Sequence, residues 1–176
     1  MSLLLTSFAP WKAHQNSNAS DDIVALLQSQ RRLPKNTIVV RHLPVHSQLA
    51  SCQVLSALLK HQPSAVVCCG MAEKRGLLNL EQCARSQSTV LKTPVDLSYL
   101  CSGTQWTTVS NDAGTYVCND LYFQLLTYIE THHLSTNGLF IHVPLLNAYN
   151  REAIAYDLSL ILSKLSQLRS QLVVAD

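Results

Sequence analysis

The chain has 176 residues, 47% of them hydrophobic and 14% charged, with a formal net charge of +2. That length fills one core and is short for two, so a single domain spanning residues 1–176 is expected. Lysine and arginine are scattered, with Gln30 to Lys35 the only basic knot, too little positive field to hold a phosphate backbone, which argues against nucleic acid as a partner.

The N-terminus carries an apolar run of only Leu3 to Leu5, with no basic residue before it and a Pro10-Trp11 break after it. It fails as a secretory signal. No segment approaches the roughly 18 apolar residues of a membrane span, so no membrane association and a cytoplasmic location are expected. In a reducing compartment the six cysteines should mostly be free thiols, each to be sorted as core, ligand or nucleophile.

In chain order, the segments Ser2 to Phe8, Thr37 to Val45, Ser64 to Met71 and Gly138 to Pro144 are short, apolar, rich in β-branched residues and bounded by turn formers. They are predicted to be buried strands. Ser20 to Arg32 is predicted to be a helix, with Ser20 as N-cap and two acids in its first turn. Gln48 to Pro63 is a second helix, stopped by Pro63. Ser86 to Asn111 is polar and breaks the rhythm with loops and short strands. From Thr115 onward, Val117, Leu121, Leu125 and Ile129 recur every four residues, predicting a third helix with Thr115 as N-cap. From Arg151 the residues Ile154, Leu158, Ile161, Leu165, Leu168 and Leu172 form one apolar stripe. That stripe reads either as a coiled-coil partner surface or as a helix lying on the sheet, the second being preferred. The alternation predicts an α/β fold, a three-layer sandwich with a mainly parallel, mixed sheet and helices on both faces.

The chemistry centres on Cys118. Asn111 to Gly114 is turn chemistry in which Gly114 can take the positive φ of a tight corner, and the thiol then falls in the first turn of a helix. Unpaired N–H groups and the dipole there favour a thiolate and could hold an oxyanion. Inert packing is the competing reading, because free cysteine is commonly buried. His142, near the C-terminal end of a predicted strand at the edge where open sheets build sites, is the candidate base. A core histidine bonded to a carbonyl is the alternative. Glu81 interrupts an apolar stretch and could orient the imidazole, or be an ordinary surface glutamate. Asp112 fits turn duty better. His132 and His133 suit a helix C-terminus. A metal or redox role for the cysteines is disfavoured: no Cys-x-x-Cys occurs, and Cys68 and Cys69, adjacent in a strand, should face opposite sides. No metal or cofactor is expected.

The residues also carry a resemblance. Ser110 to Asn119, SNDAGTYVCN, resembles the cysteine signature of the pyroglutamyl peptidase I family (pyrrolidone-carboxylate peptidases), Ser-Asn-x-Ala-Gly-Thr-aromatic-x-Cys-Asn. LFIHVPLL (Leu139 to Leu146) is similar to its histidine strand, and LLLTSFAPW (Leu3 to Trp11) to its opening strand and turn. Asn18 to Ser20, His42 to Val45 and Cys68 to Ala84 fall in the family's order as well.

The resemblance implies a cysteine exopeptidase that removes N-terminal pyroglutamate from peptides through a thioester. It assigns Cys118 as nucleophile, His142 as general base and then acid, and Glu81 as the group orienting His142. Phe8 and Trp11 match the aromatic positions of the lactam pocket. It also suggests homo-oligomers. The alternative is a divergent member acting as a binding protein or on another cyclic amide. Three loops depart from the family: Lys12 and Ala13 stand where glycines are usual, Glu73 to Arg75 replace a Gly-Gly-Arg turn, and Gln82 to Val90 lacks the Asp-Ala-Arg-Ile-Pro motif.

Overall fold

The computed structural model describes residues 2–168. Its core is a six-stranded sheet built from β1 (Leu3–Phe8), β2 (Thr37–Leu43), β3 (Ala65–Met71), β4 (Leu78–Glu81), β7 (Thr107–Ser110) and β8 (Asn137–Val143), in the order β2-β1-β3-β8-β4-β7. Strands β2, β1, β3 and β8 are mutually parallel, and β4 runs antiparallel to β8. A separate hairpin joins β5 (Cys83–Ser86) to β6 (Thr89–Lys92).

Alternation along the strands divides the core in two. Leu3, Leu5, Val67, Cys69, Leu139 and Ile141 face one side, where they pack with Ile23 and Val24 of α1 (Ala19–Ser29) and with α5 (Arg151–Gln167). Leu4, Val66, Cys68 and Phe140 face the other, against Val54 of α2 (Ser47–His61) and Leu121 and Leu125 of α4 (Val117–Thr131). Cys68 and Cys69 therefore do lie on opposite faces, as a two-residue pleat requires. The three-layer mixed sheet follows from strands that are apolar on both sides.

The C-terminal stripe is internal packing: Ile154, Leu158, Ile161 and Leu165 are at most 1% exposed within the first core. Leu172 lies outside the described residues. The polar stretch predicted as loops and short strands holds β6, β7 and a short helix, α3 (Leu97–Cys101), begun by Asp96, whose carboxylate accepts from the Tyr99 N–H. No helix among the described residues is long and apolar enough to cross a membrane.

Two capping expectations are corrected. Asn18, and not Ser20, caps α1: its side chain accepts from the Ser20 N–H, while the Ser20 hydroxyl accepts from the Phe8 N–H and so ties the end of β1 to the helix. Before α4 the N-cap is Tyr116, which makes no side-chain cap bond, so Thr115 does not serve. The α4 N–H groups stay available to a ligand in consequence.

Candidate active site

His142 and Glu81 meet because β4 returns antiparallel beside β8, pairing Asn79 with His142 and Glu81 with Phe140. Pleating sends the side chains of Asn79, Glu81, Phe140 and His142 to the α4 face. His142 Nδ1 lies 2.7 Å from Glu81 Oε1, with Glu81 fully buried and His142 6% exposed. An ionised carboxylate can only accept, so Nδ1 is the donor in this contact.

The helix bearing Cys118 is held to the same strands. Asn119, the next residue, clasps β5 through both ends of its amide, accepting from the Arg85 N–H at 2.9 Å and donating to the Arg85 carbonyl at 2.8 Å. The Tyr122 hydroxyl donates to the Glu81 carbonyl at 2.9 Å. The preceding turn is fixed locally: the Asp112 carboxylate accepts from the Gly114 N–H, and Gly114 has φ +80°. Asp112 thus has the turn duty its position predicted.

Cys118 and His142 face one open cavity of about 460 Å³. Under the thiol lies Gly70, which pairs with His142 across β3 and β8. Burial pushes the Cys118 thiol up to about 12, and the charges of Cys68 and Glu81 push the same way; Arg75 and the residue's own backbone N–H act against them. The net direction is opposite to the lowering predicted for a helix start, because the cost of desolvating the charged thiolate is the largest of these effects. His142 lines the same cavity as the thiol.

Phe8 and Trp11 both line the cavity, Phe8 as a buried wall and Trp11 as a rim residue 54% exposed. The altered loops form the other rim. Glu73 gathers Lys12 Nζ at 2.9 Å, His14 Nε2 at 2.9 Å and Gln15 Nε2 at 2.7 Å, which holds its carboxyl down at about 2. None of Lys12, Ala13, Glu73, Lys74 and Arg75 takes positive φ.

Arg75, named from the sequence only as part of a departing loop, stands in the cavity wall. Its guanidinium reaches Glu81 Oε1 and Asn79 Oδ1, at 2.5 and 2.8 Å, and it lines the cavity. Arg85 points elsewhere, to the Asn111 carbonyl at 3.4 Å. The available signal was the interval of six between Arg75 and Glu81, short enough for a loop to bring a long cation onto a buried acid.

Comparison with known proteins bears on the fold and the family. A family model described as pyroglutamyl peptidase matches residues 103–165, which include Cys118 and His142. A pyrrolidone-carboxylate peptidase from Vibrio vulnificus is 30% identical over 173 residues, covering 82% of this chain and 78% of the relative. Another from Bacillus amyloliquefaciens is 29% identical over 185 residues, 90% of this chain and 85% of the relative. The crystal structure of Bacillus amyloliquefaciens pyroglutamyl peptidase I superposes with TM-score 0.81 at 23% identity, covering 95% of this chain and 97% of that one. The pyrrolidone carboxyl peptidase from Thermococcus litoralis gives 0.78 at 20% identity, over 94% and 92%. The architecture is thus a peptidase fold of the α/β class. The chain belongs to the pyroglutamyl peptidase family.

Proposed function

We propose that the protein is a cysteine exopeptidase that releases N-terminal pyroglutamate from peptides. The observation that carries this reading is the His142–Glu81 contact at 2.7 Å, with His142 and Cys118 lining the same cavity. An imidazole held by a buried carboxylate, with its other nitrogen free, is poised to accept a proton from a thiol.

In this reading His142 Nε2 takes the Cys118 proton as Sγ attacks the carbonyl carbon that follows the lactam ring. The N–H groups at the start of α4 receive the developing oxyanion. The imidazolium then protonates the departing amine, the C–N bond breaks and a thioester remains. Water, losing a proton to Nε2, hydrolyses the thioester and frees pyroglutamate, and the proton returns to the thiol. Glu81 orients the ring and balances its charge without exchanging the proton.

Phe8 and Trp11 supply an apolar wall for a small uncharged lactam, which backbone hydrogen bonds can recognise without a salt bridge. An ordinary N-terminal ammonium would be desolvated there without a partner, which selects against it.

One observation favours a second reading, a relative with altered or lost turnover: the Lys12–Glu73 ion pair joins two loops that the family builds with glycine. Hydrolysis of a fluorogenic pyroglutamyl amide under reducing conditions, beside a prolyl amide and Cys118→Ala, separates the two. Cleavage of the pyroglutamyl compound alone, lost in Cys118→Ala, is expected. No cleavage by well-folded protein at high concentration supports the second reading.

A further inference from the structure

Arg75 sits where three parts of the site converge. Its Nη1 donates to Asn79 Oδ1 and Glu81 Oε1 of β4, and its Nη2 donates to the Asp112 carbonyl in the turn that leads into α4. One planar fork therefore binds the strand that carries the carboxylate to the turn that launches the thiol. Lysine, a point charge with no fixed angle between donors, would not span both.

The carboxylate depends on this fork. Both of its donors, Arg75 and His142, act on Oε1, while Oε2 is buried with no hydrogen-bond partner among the described residues. Nothing on Oε2 resists rotation of the group. Without Arg75, only the imidazole itself would fix the carboxylate meant to fix the imidazole.

We propose that Arg75 is a positioning residue: it locks Glu81 against His142 and holds the Asp112 to Gly114 turn so that Cys118 enters the site in register with the imidazole. The catalytic consequence rests on the peptidase reading above; the geometric one does not. The groups that act on the thiol are Cys68 from β3, Glu81 from β4 and Arg75 from the β3–β4 loop, and His142 of β8 shares its cavity wall. Arg75 is the only arginine on that wall among the described residues, and its charge opposes the effect of burial on the thiol.

The test compares wild type, Arg75→Ala and Arg75→Lys in two assays. The first is iodoacetamide alkylation of Cys118 against pH, read by peptide mass so that the exposed Cys52 is not counted. The second is steady-state hydrolysis of the pyroglutamyl amide. For Arg75→Ala we expect kcat to fall about 10²-fold with KM changed less than about threefold, as for a misplaced but still accessible site. Its alkylation profile should move to higher pH. Arg75→Lys should recover most of the alkylation profile, because charge is restored, but less than about a tenth of kcat, because the fork is not.

An unchanged alkylation profile and unchanged kcat in Arg75→Ala would overturn the proposal. Full kcat in Arg75→Lys would overturn the fork in particular. Should Arg75→Ala fail to fold, Arg75→Lys still decides, since it keeps the stem and the charge. Absence of turnover in wild type would instead defeat the peptidase reading, and the alkylation assay would still test the role of Arg75.

Discussion

The Cys118 sulfur rests against Gly70: a Cβ built on that glycine would lie 2.8 Å from Cys118 Sγ and 2.8 Å from Phe140 Cζ. Gly70 does not take the positive φ that would demand glycine for its backbone. Its role is to leave room. The absent side chain lets the thiol settle on β3 next to the strand position of His142.

Gly70→Ala should therefore expel the thiol or tilt the Phe140 ring. Overpacking of this kind costs about 1–3 kcal/mol of stability, and a displacement on the order of 1 Å costs about 10²-fold in rate. Thermal unfolding and hydrolysis of the pyroglutamyl amide measure the two effects. A variant with wild-type kcat would show that the thiol position tolerates the extra methyl group.

Glu81→Gln keeps the shape of the orienting group but loses its charge, and its amide can present a donor to His142 as readily as an acceptor. The expected loss in kcat is about 10²-fold or more, less complete than in Cys118→Ala, with KM nearly unchanged. Equal turnover in Glu81→Gln and wild type would leave the 2.7 Å contact without a catalytic meaning.

Trp11 stands at the rim with Lys12 Nζ 5.1 Å from its ring centroid. If the aromatic wall recognises the lactam, Trp11→Ala should raise KM for the pyroglutamyl substrate several-fold while kcat changes little. The residue is half exposed, so the melting temperature should hardly move. An unaltered KM removes Trp11 from the pocket.

Raised thiols lower stability at alkaline pH, among them the buried Cys68 and Cys69 and the partly exposed Cys118. Burial holds both Cys68 and Cys118 up at about 12, above the ordinary thiol value. Between pH about 8.5, where an unfolded thiol ionises, and about 12, the unfolded chain has released protons that the native chain retains. Stability contributed by these groups is complete below that window and is lost as pH rises through it. Urea unfolding at successive alkaline pH values should show a shallower decline in Cys118→Ser than in wild type. Identical slopes would mean that Cys118 is not shielded from solvent.

The strands β1, β2, β3 and β8 and the helices α1, α2, α4 and α5 were legible because each buries a continuous or periodic apolar face, a property written locally in residue order. The short strands β4 and β5 were not. Leu78 to Glu81 spans four residues, too few to establish a period, and becomes a strand only through pairing with β8 and β7. Caps were misjudged by two residues at α1 and by one at α4, since serine, threonine and asparagine compete for the same backbone donors and the winner depends on where the preceding strand ends.

Residue order alone determined the alternating α/β pattern, the placement of Cys118 at the start of a helix and of His142 near the end of a strand. It also supplied Glu81 as a carboxylate in an apolar setting. Tertiary structure alone decided that Glu81 lies fully buried against His142, that burial raises the Cys118 thiol, and that Arg75 lines the same cavity. Each of those depends on distances between segments 6 to 61 residues apart in the chain, and on how much water the packed sheet excludes. Neither quantity exists until the strands have paired.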